Sequence, residues 1–172
     1  MNAKIARGAL YAAIAALFVT LAPVADADGL VVHRNGGEKA PFSSSVWAGD
    51  TLYVSGMLAE PTVAPGSAPG TRGSISGDTH AQTLNILTNL RKMLRAQGLD
   101  LGDVVSAHVY VAGDPAHGGK MDFAGMNSAY LQFFGTKEQP NKPVRSAVQV
   151  AALAMPGALV EIEVIAVRPA RP

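Results

Sequence analysis

Cysteine is absent from the 172 residues. That excludes disulfides and thiolate metal sites, even in an oxidising compartment. An excess of either charge is missing too: 14 lysines and arginines stand against 13 aspartates and glutamates, and charged residues make up only 16% of the chain. Nothing resembles the basic stripe that neutralises phosphates, so nucleic acid is not an expected partner. The four histidines, His33, His80, His108 and His117, never fall at a ligand-pair spacing, and no metal site is expected. There is no G-x-S-x-G elbow and no G-x-G-x-x-G. The turn GDPAHGGKM at 113–121 fails as a phosphate loop, because Gly119 stands where lysine must be and Met121 where serine or threonine must be.

What is present begins with a leader pattern. Lys4 and Arg7 precede an apolar run at 9–22, which closes on Ala25-Asp26-Ala27, the small-x-small pattern of a signal-peptidase site. The run is short for a membrane span and is soon followed by Pro23 and Asp26. Residues 1–27 therefore read as a signal peptide cleaved after Ala27, with an uncleaved anchor as the alternative. The expected location is periplasmic or secreted, with no membrane attachment after cleavage. About 145 residues remain, the size of one domain.

Residues 28–40 are polar and Gly-rich, a flexible amino-terminal segment or one short edge strand; the domain runs from 41 to 172. Extended runs at 43–47 and 51–57 flank AGD, a hairpin signature. A Pro/Gly/Ser-rich loop fills 58–77, long enough to suggest a functional role. Thr79-x-x-Gln82 reads as a capping box, after which Leu84, Leu87, Leu90 and Leu94 recur at helical spacing until Gly98. Residues 104–111 alternate as a strand with one face in the core. Asp122 caps a second helix in which Phe123, Met126, Tyr130 and Phe134 share a face, and strands at 144–151 and 158–167 follow, linked by LAMPG. The order ββ–α–β–α–ββ predicts an α+β fold, a mixed sheet whose strands pair as hairpins, with both helices on one face. The other face, including Ala147, Gln149, Leu159 and Ile165 or their strand alternates, is too apolar to leave wet, and self-association is the simplest cover.

The closing strands put Arg145, Glu161 and Glu163 in apolar runs expected to be buried. Unpaired charge there costs several kcal/mol. Two readings are open: an internal ion pair or solvated face, or a guanidinium presented to a substrate carboxylate beside a glutamate that handles a proton. Spacing does not separate them.

The segment PVRSAVQVAAL…GALVEIEVIAV resembles the signature of the reactive-intermediate deaminase (RidA/YjgF) family, and LYVSGM, AQGLDLGDVVSAHVYV and DFAGMNSAYLQFF resemble its earlier blocks in order. The match spans about 41–167. The resemblance implies a chorismate-mutase-like fold, a homotrimer with clefts between subunits, and hydrolysis of 2-imino and 2-enamino acids to 2-keto acids and ammonia, with no cofactor. By position it makes Arg145 the residue that holds the substrate carboxylate and Glu161 the one that activates water. Asn127 and Tyr130, Ser55 and Gly56, and the positions of Phe42 and Ala147 line the cleft, and Glu163 is structural. The chain departs from the family pattern at Phe42, Met57 and Ala147, where tyrosine, glutamine and cysteine are frequent, and LAMPG is one residue longer than usual. A small-carboxylate-binding trimer without turnover is the alternative function.

Overall fold

The computed structural model describes residues 32–169. The expected signal peptide, 1–27, lies outside them. One six-stranded sheet carries strands β1 (Val32–Asn35), β2 (Ser45–Ala48), β3 (Thr51–Leu58), β4 (Val104–Ala112), β5 (Val144–Val150) and β6 (Val160–Val167) in the spatial order β1-β2-β3-β6-β4-β5. Helices α1 (Thr79–Ala96) and α2 (Phe123–Tyr130) complete the α+β fold. Of the two readings for the amino-terminal segment, the edge strand is the one observed: β1 pairs antiparallel with β2.

The core lies between the sheet and the helices. Val160, Ile162, Val164 and Ala166 of β6, Ala107, Val109 and Val111 of β4, and Leu52 and Val54 of β3 point to that side and are buried with Ile86, Leu87, Leu90 and Leu94 of α1. Ile86 takes the place expected of Leu84, which remains half-exposed. The helix stops as expected: Gly98 turns at φ +78, and the amide of Leu99 reaches back to the carbonyl of Leu94.

The start of α1 differs from expectation. Asp78, one residue earlier, is the cap, accepting from the Ala81 amide at 2.8 Å. Gln82 is buried instead of reaching back to the cap: its amide donates to the carbonyls of Gly77 and Gly157, and its oxygen accepts from the Leu159 amide. An aspartate side chain one position upstream satisfied the helix end, which freed Gln82 to pin the loop before β6. The 58–77 loop packs on the same turn, with the Ile75 amide donating to the Pro156 carbonyl.

The last two strands also differ. They do not pair with each other: β6 inserts between β3 and β4, antiparallel to both, and β5 lies outside β4, paired parallel to it, unlike the other described strand pairs. The β4–α2–β5 crossover places β5 at an edge, and the uninterrupted apolar face of β6 fills the centre. Burial was expected for both runs, but Val144 and Val148 of β5 are 72% and 48% exposed.

Among the described residues no helix covers the second face of the sheet. On β6 it presents Glu161, Glu163 and Ile165, as the buried alternates fix; on β5 it presents Val144, Ser146 and Val148, while Ala147 and Gln149 lie on the helix side.

Candidate functional site

Arg145 stands on β5 opposite Ala107 of β4, whose side chain is buried toward the helices, so both project to the helix side. There the guanidinium carbon lies 4.3 Å from the centroid of the Tyr130 ring, and Nη2 donates to Asn127 Oδ1 at 2.9 Å. The ring of Phe123, at the exposed start of α2, is 5.9 Å away. The two α2 residues sit one helical turn apart and therefore share the face toward β5. Tyr130 in turn stacks on Phe134, centroids 4.6 Å apart. Burial pushes the Tyr130 phenol up to about 12, against the opposing pull of Arg145, and its hydroxyl finds no partner among the described residues. Ring and amide fix the guanidinium plane and leave the rest of its donor fork free. No described carboxylate pairs with it. A cleft of about 320 Å³ opens beside it, lined by Asn127, Tyr130, Leu131, Lys142 and Arg145. Ala147, next on the same face, packs against the core edge.

Glu161 is on the other side of the sheet, opposite Leu58 of β3 and Tyr110 of β4. The β3–β6 register shifts between Val54 and Met57, so Ser55 and Gly56 form an irregularity that bends β3 beside this glutamate. A Cβ on Gly56 would collide with the Glu161 carboxylate, and only glycine lets the two approach. Ser55 donates its hydroxyl to the Ser43 carbonyl at 2.7 Å, tying down the segment that carries Phe42, which is 68% exposed. Burial first, and the charge of Glu163 second, hold the Glu161 carboxyl above the usual glutamate range.

Glu163 is braced, as the structural reading of this residue expects. The Tyr110 hydroxyl donates to its Oε1 at 3.1 Å, and His108 Nδ1 lies 3.0 Å from the same oxygen. His108, Glu163, Tyr53, Ser43 and Ser55 line a second cleft of about 240 Å³ on the open face. Sequence reasoning did not name the Tyr110–Glu163–His108 group, although the alternation of β4 already put His108 and Tyr110 on one face. It also passed over Lys142, which lies just before β5, and it placed Phe123 on the second helix without giving it a part in the site.

The expected site residues thus fall into two groups. Arg145, Asn127, Tyr130 and Ala147 gather on the helix side at the β5 edge; Glu161, Gly56, Ser55 and Phe42 belong to the β3–β6 half of the sheet. Arg145 and Glu161 project from opposite faces, which rules out an ion pair between them within one chain. Among the described residues no cluster of histidines and carboxylates is arranged to hold a metal ion.

Known proteins resemble this chain over roughly three quarters or more of its length. A model of the family described as Endoribonuclease L-PSP matches residues 37–168. A 2-iminobutanoate/2-iminopropanoate deaminase of Capra hircus is 36% identical over 128 residues, 74% of this chain and 80% of that protein. The crystal structure of Escherichia coli TdcF with bound serine superposes with a TM-score of 0.59 at 33% identity, covering 79% of this chain and 94% of that one. A member of the YjgF/YER057c/UK114 family from Mycobacterium tuberculosis gives 0.58 at 26% identity, covering 80% and 100%. With the family model spanning most of its length and the two-helix, six-stranded fold in common, the chain belongs to the Endoribonuclease L-PSP family, the group that its sequence resembles under the name RidA/YjgF.

Proposed function

We propose that the protein is a homotrimeric deaminase that hydrolyses 2-imino and 2-enamino acids to 2-keto acids and ammonia in clefts between subunits. One observation carries the reading: Arg145 is half-buried, oriented by Asn127 and Tyr130 and unpaired with any carboxylate of the described residues, while Glu161 faces the other way. An oriented cation without a counter-ion suits an anionic ligand. A site that uses both residues needs Arg145 of one subunit and Glu161 of the next, and the uncovered sheet face supplies the surface for that contact. The names of the deaminase relatives, and the serine bound to TdcF, favour a small amino-acid-derived carboxylate.

The chemistry asks little of the protein. The iminium carbon is already electrophilic, so fixing the substrate carboxylate on Arg145 and a water near Glu161 contributes most of the acceleration. Glu161 takes a proton from the water as its oxygen bonds to the imine carbon. Glu161 gives that proton to the nitrogen of the resulting carbinolamine; the C–N bond then breaks as the hydroxyl oxygen closes to a carbonyl and returns its proton to Glu161, so ammonia leaves and a keto acid remains. An enamine first takes a proton at its β-carbon to become the imine. Burial and the neighbouring Glu163 charge suit Glu161 to both directions of transfer, since each makes its conjugate acid easier to retain.

With the leader pattern read as a signal peptide, we propose that the reaction takes place in the periplasm or outside the cell; the mass of the protein recovered from an exported fraction checks cleavage after Ala27. Ammonia release from imines generated in situ by an amino-acid oxidase tests the activity itself. Wild type should exceed the uncatalysed rate and Arg145→Ala should return to it. Identical background rates for both, across several side chains, would contradict the enzyme reading and leave the carboxylate-binding trimer.

A further inference from the structure

The cleft beside Arg145 holds a second cation. Lys142 lines it together with Asn127, Tyr130 and Arg145, and no carboxylate is among the lining residues. Neither Lys142 nor Arg145 is in an ion pair with a described carboxylate. One small cleft therefore carries two unneutralised positive charges in a protein whose overall balance is only +1. Tyr130, another lining residue, has a buried hydroxyl with no partner among the described residues.

Lys142 is an exposed residue whose stem nevertheless has a neighbour. Its stem lies across Gly135, and a Cβ at that position would run into Lys142 Cε. Gly135 has φ +73, a conformation that glycine adopts without strain, so the turn after α2 both reverses the chain and leaves a groove for the lysine stem. The following Pro143 stiffens the backbone that joins Lys142 to β5. The two cations thus come from different walls. Arg145 is oriented by α2, through Asn127 and the Tyr130 ring, whereas Lys142 passes along the 131–135 turn with its ammonium free to move.

Their chemistries also differ. A guanidinium fixed in plane meets one carboxylate in fork geometry, whereas an ammonium is a point charge that tolerates variable partners. We infer that this cleft selects 2-imino acids whose side chain bears a second anionic group, with Arg145 on the α-carboxylate and Lys142 on the distal anion. The inference rests on the deaminase reading for turnover, but the charge pattern speaks to binding whether or not anything turns over.

The test compares kcat/KM for imines made in situ from aspartate and glutamate with those from alanine and leucine, in wild type, Lys142→Met and Lys142→Arg. Wild type should prefer the dicarboxylic pair. Lys142→Met should raise KM for that pair about tenfold or more, the loss expected of one charged hydrogen bond, and leave the neutral pair unchanged; Lys142→Arg should retain the preference. An equal loss on all four would assign Lys142 to the α-carboxylate, and no change on any would make it a solvated surface residue; either overturns the inference. Calorimetry with 2-oxoglutarate against 2-oxobutanoate separates this from failure of the deaminase reading. If wild type turns nothing over, tighter 2-oxoglutarate binding that Lys142→Met abolishes sustains the cleft's selectivity. Equal or absent binding of both keto acids contradicts it.

Discussion

Glu161 meets two demands that pull against each other. In the proposed reaction it is ionised to take a proton from water, yet burial and the nearby Glu163 charge favour its protonated form. The sign of the stability consequence follows from proton counting. A carboxyl whose folded pKa is raised binds more protons folded than unfolded between its usual value of 4.5 and the raised one, so stability falls as pH climbs through that window. Glu161→Gln should therefore abolish turnover while making the protein more stable to heat at neutral pH than wild type; a variant less stable at pH 7 would contradict this. Activity should show an acid limb set by the same group, above the pH of an ordinary carboxylate. Glu163→Gln removes one of the two causes and should move that limb to lower pH, an effect that mere loss of packing would not produce. The groups facing this pair are Tyr110 and His108 of β4 and Tyr53 of β3. Tyr110→Phe, which leaves the glutamate charge in place, should shift the limb less than Glu163→Gln.

At the scale of elements, what holds Glu161 in place is set by two features of unequal visibility. The helix signals were plain in the sequence: leucines at helical spacing, Gly98 to stop, Asp122 to cap α2. Gln82 was misread, because a threonine and a glutamine three apart look like a capping box and nothing in the local pattern gives priority to Asp78. Its actual partners lie 75 and 77 residues away, at Gly157 and Leu159. Local spacing does not reveal contacts of that range. Gln82→Leu should leave the Gly157 carbonyl and the Leu159 amide buried without partners, which costs on the order of 2 kcal/mol or more. Urea unfolding should show the midpoint fall with the slope unchanged. Because the same turn leads into β6, kcat should fall too; an unchanged melt would show that the pinned loop adds nothing to stability. The two strands bearing Arg145 and Glu161 were both legible as strands. Their places were not, since whether the last strand pairs with its predecessor or slips between β3 and β4 depends on the crossover through α2.

The whole molecule explains why the charges could look anomalous. Three charges in two apolar strands posed an energetic problem only while both strands were taken as buried in one chain. As an edge strand, β5 shows Arg145 on the helix side and Val144 and Val148 on the open side; β6 shows its glutamates to the same open face. That face, with Tyr53 and Val105 also exposed, needs a cover; two helices on one side of the sheet already implied as much, although the sequence left open which strand alternates lie there. The split of the site across two faces was not visible, because assigning faces requires the register of β5 against β4. The central claim is that the working site takes Arg145 from one subunit and Glu161 from its neighbour. Mixing subunits tests it most directly. Arg145→Ala and Glu161→Gln, each inactive alone, should regain activity when co-expressed and purified as mixed oligomers, to about a quarter of wild type for random assembly, since one interface in four then pairs an intact arginine with an intact glutamate. Mixed oligomers that stay at the uncatalysed rate would contradict the account.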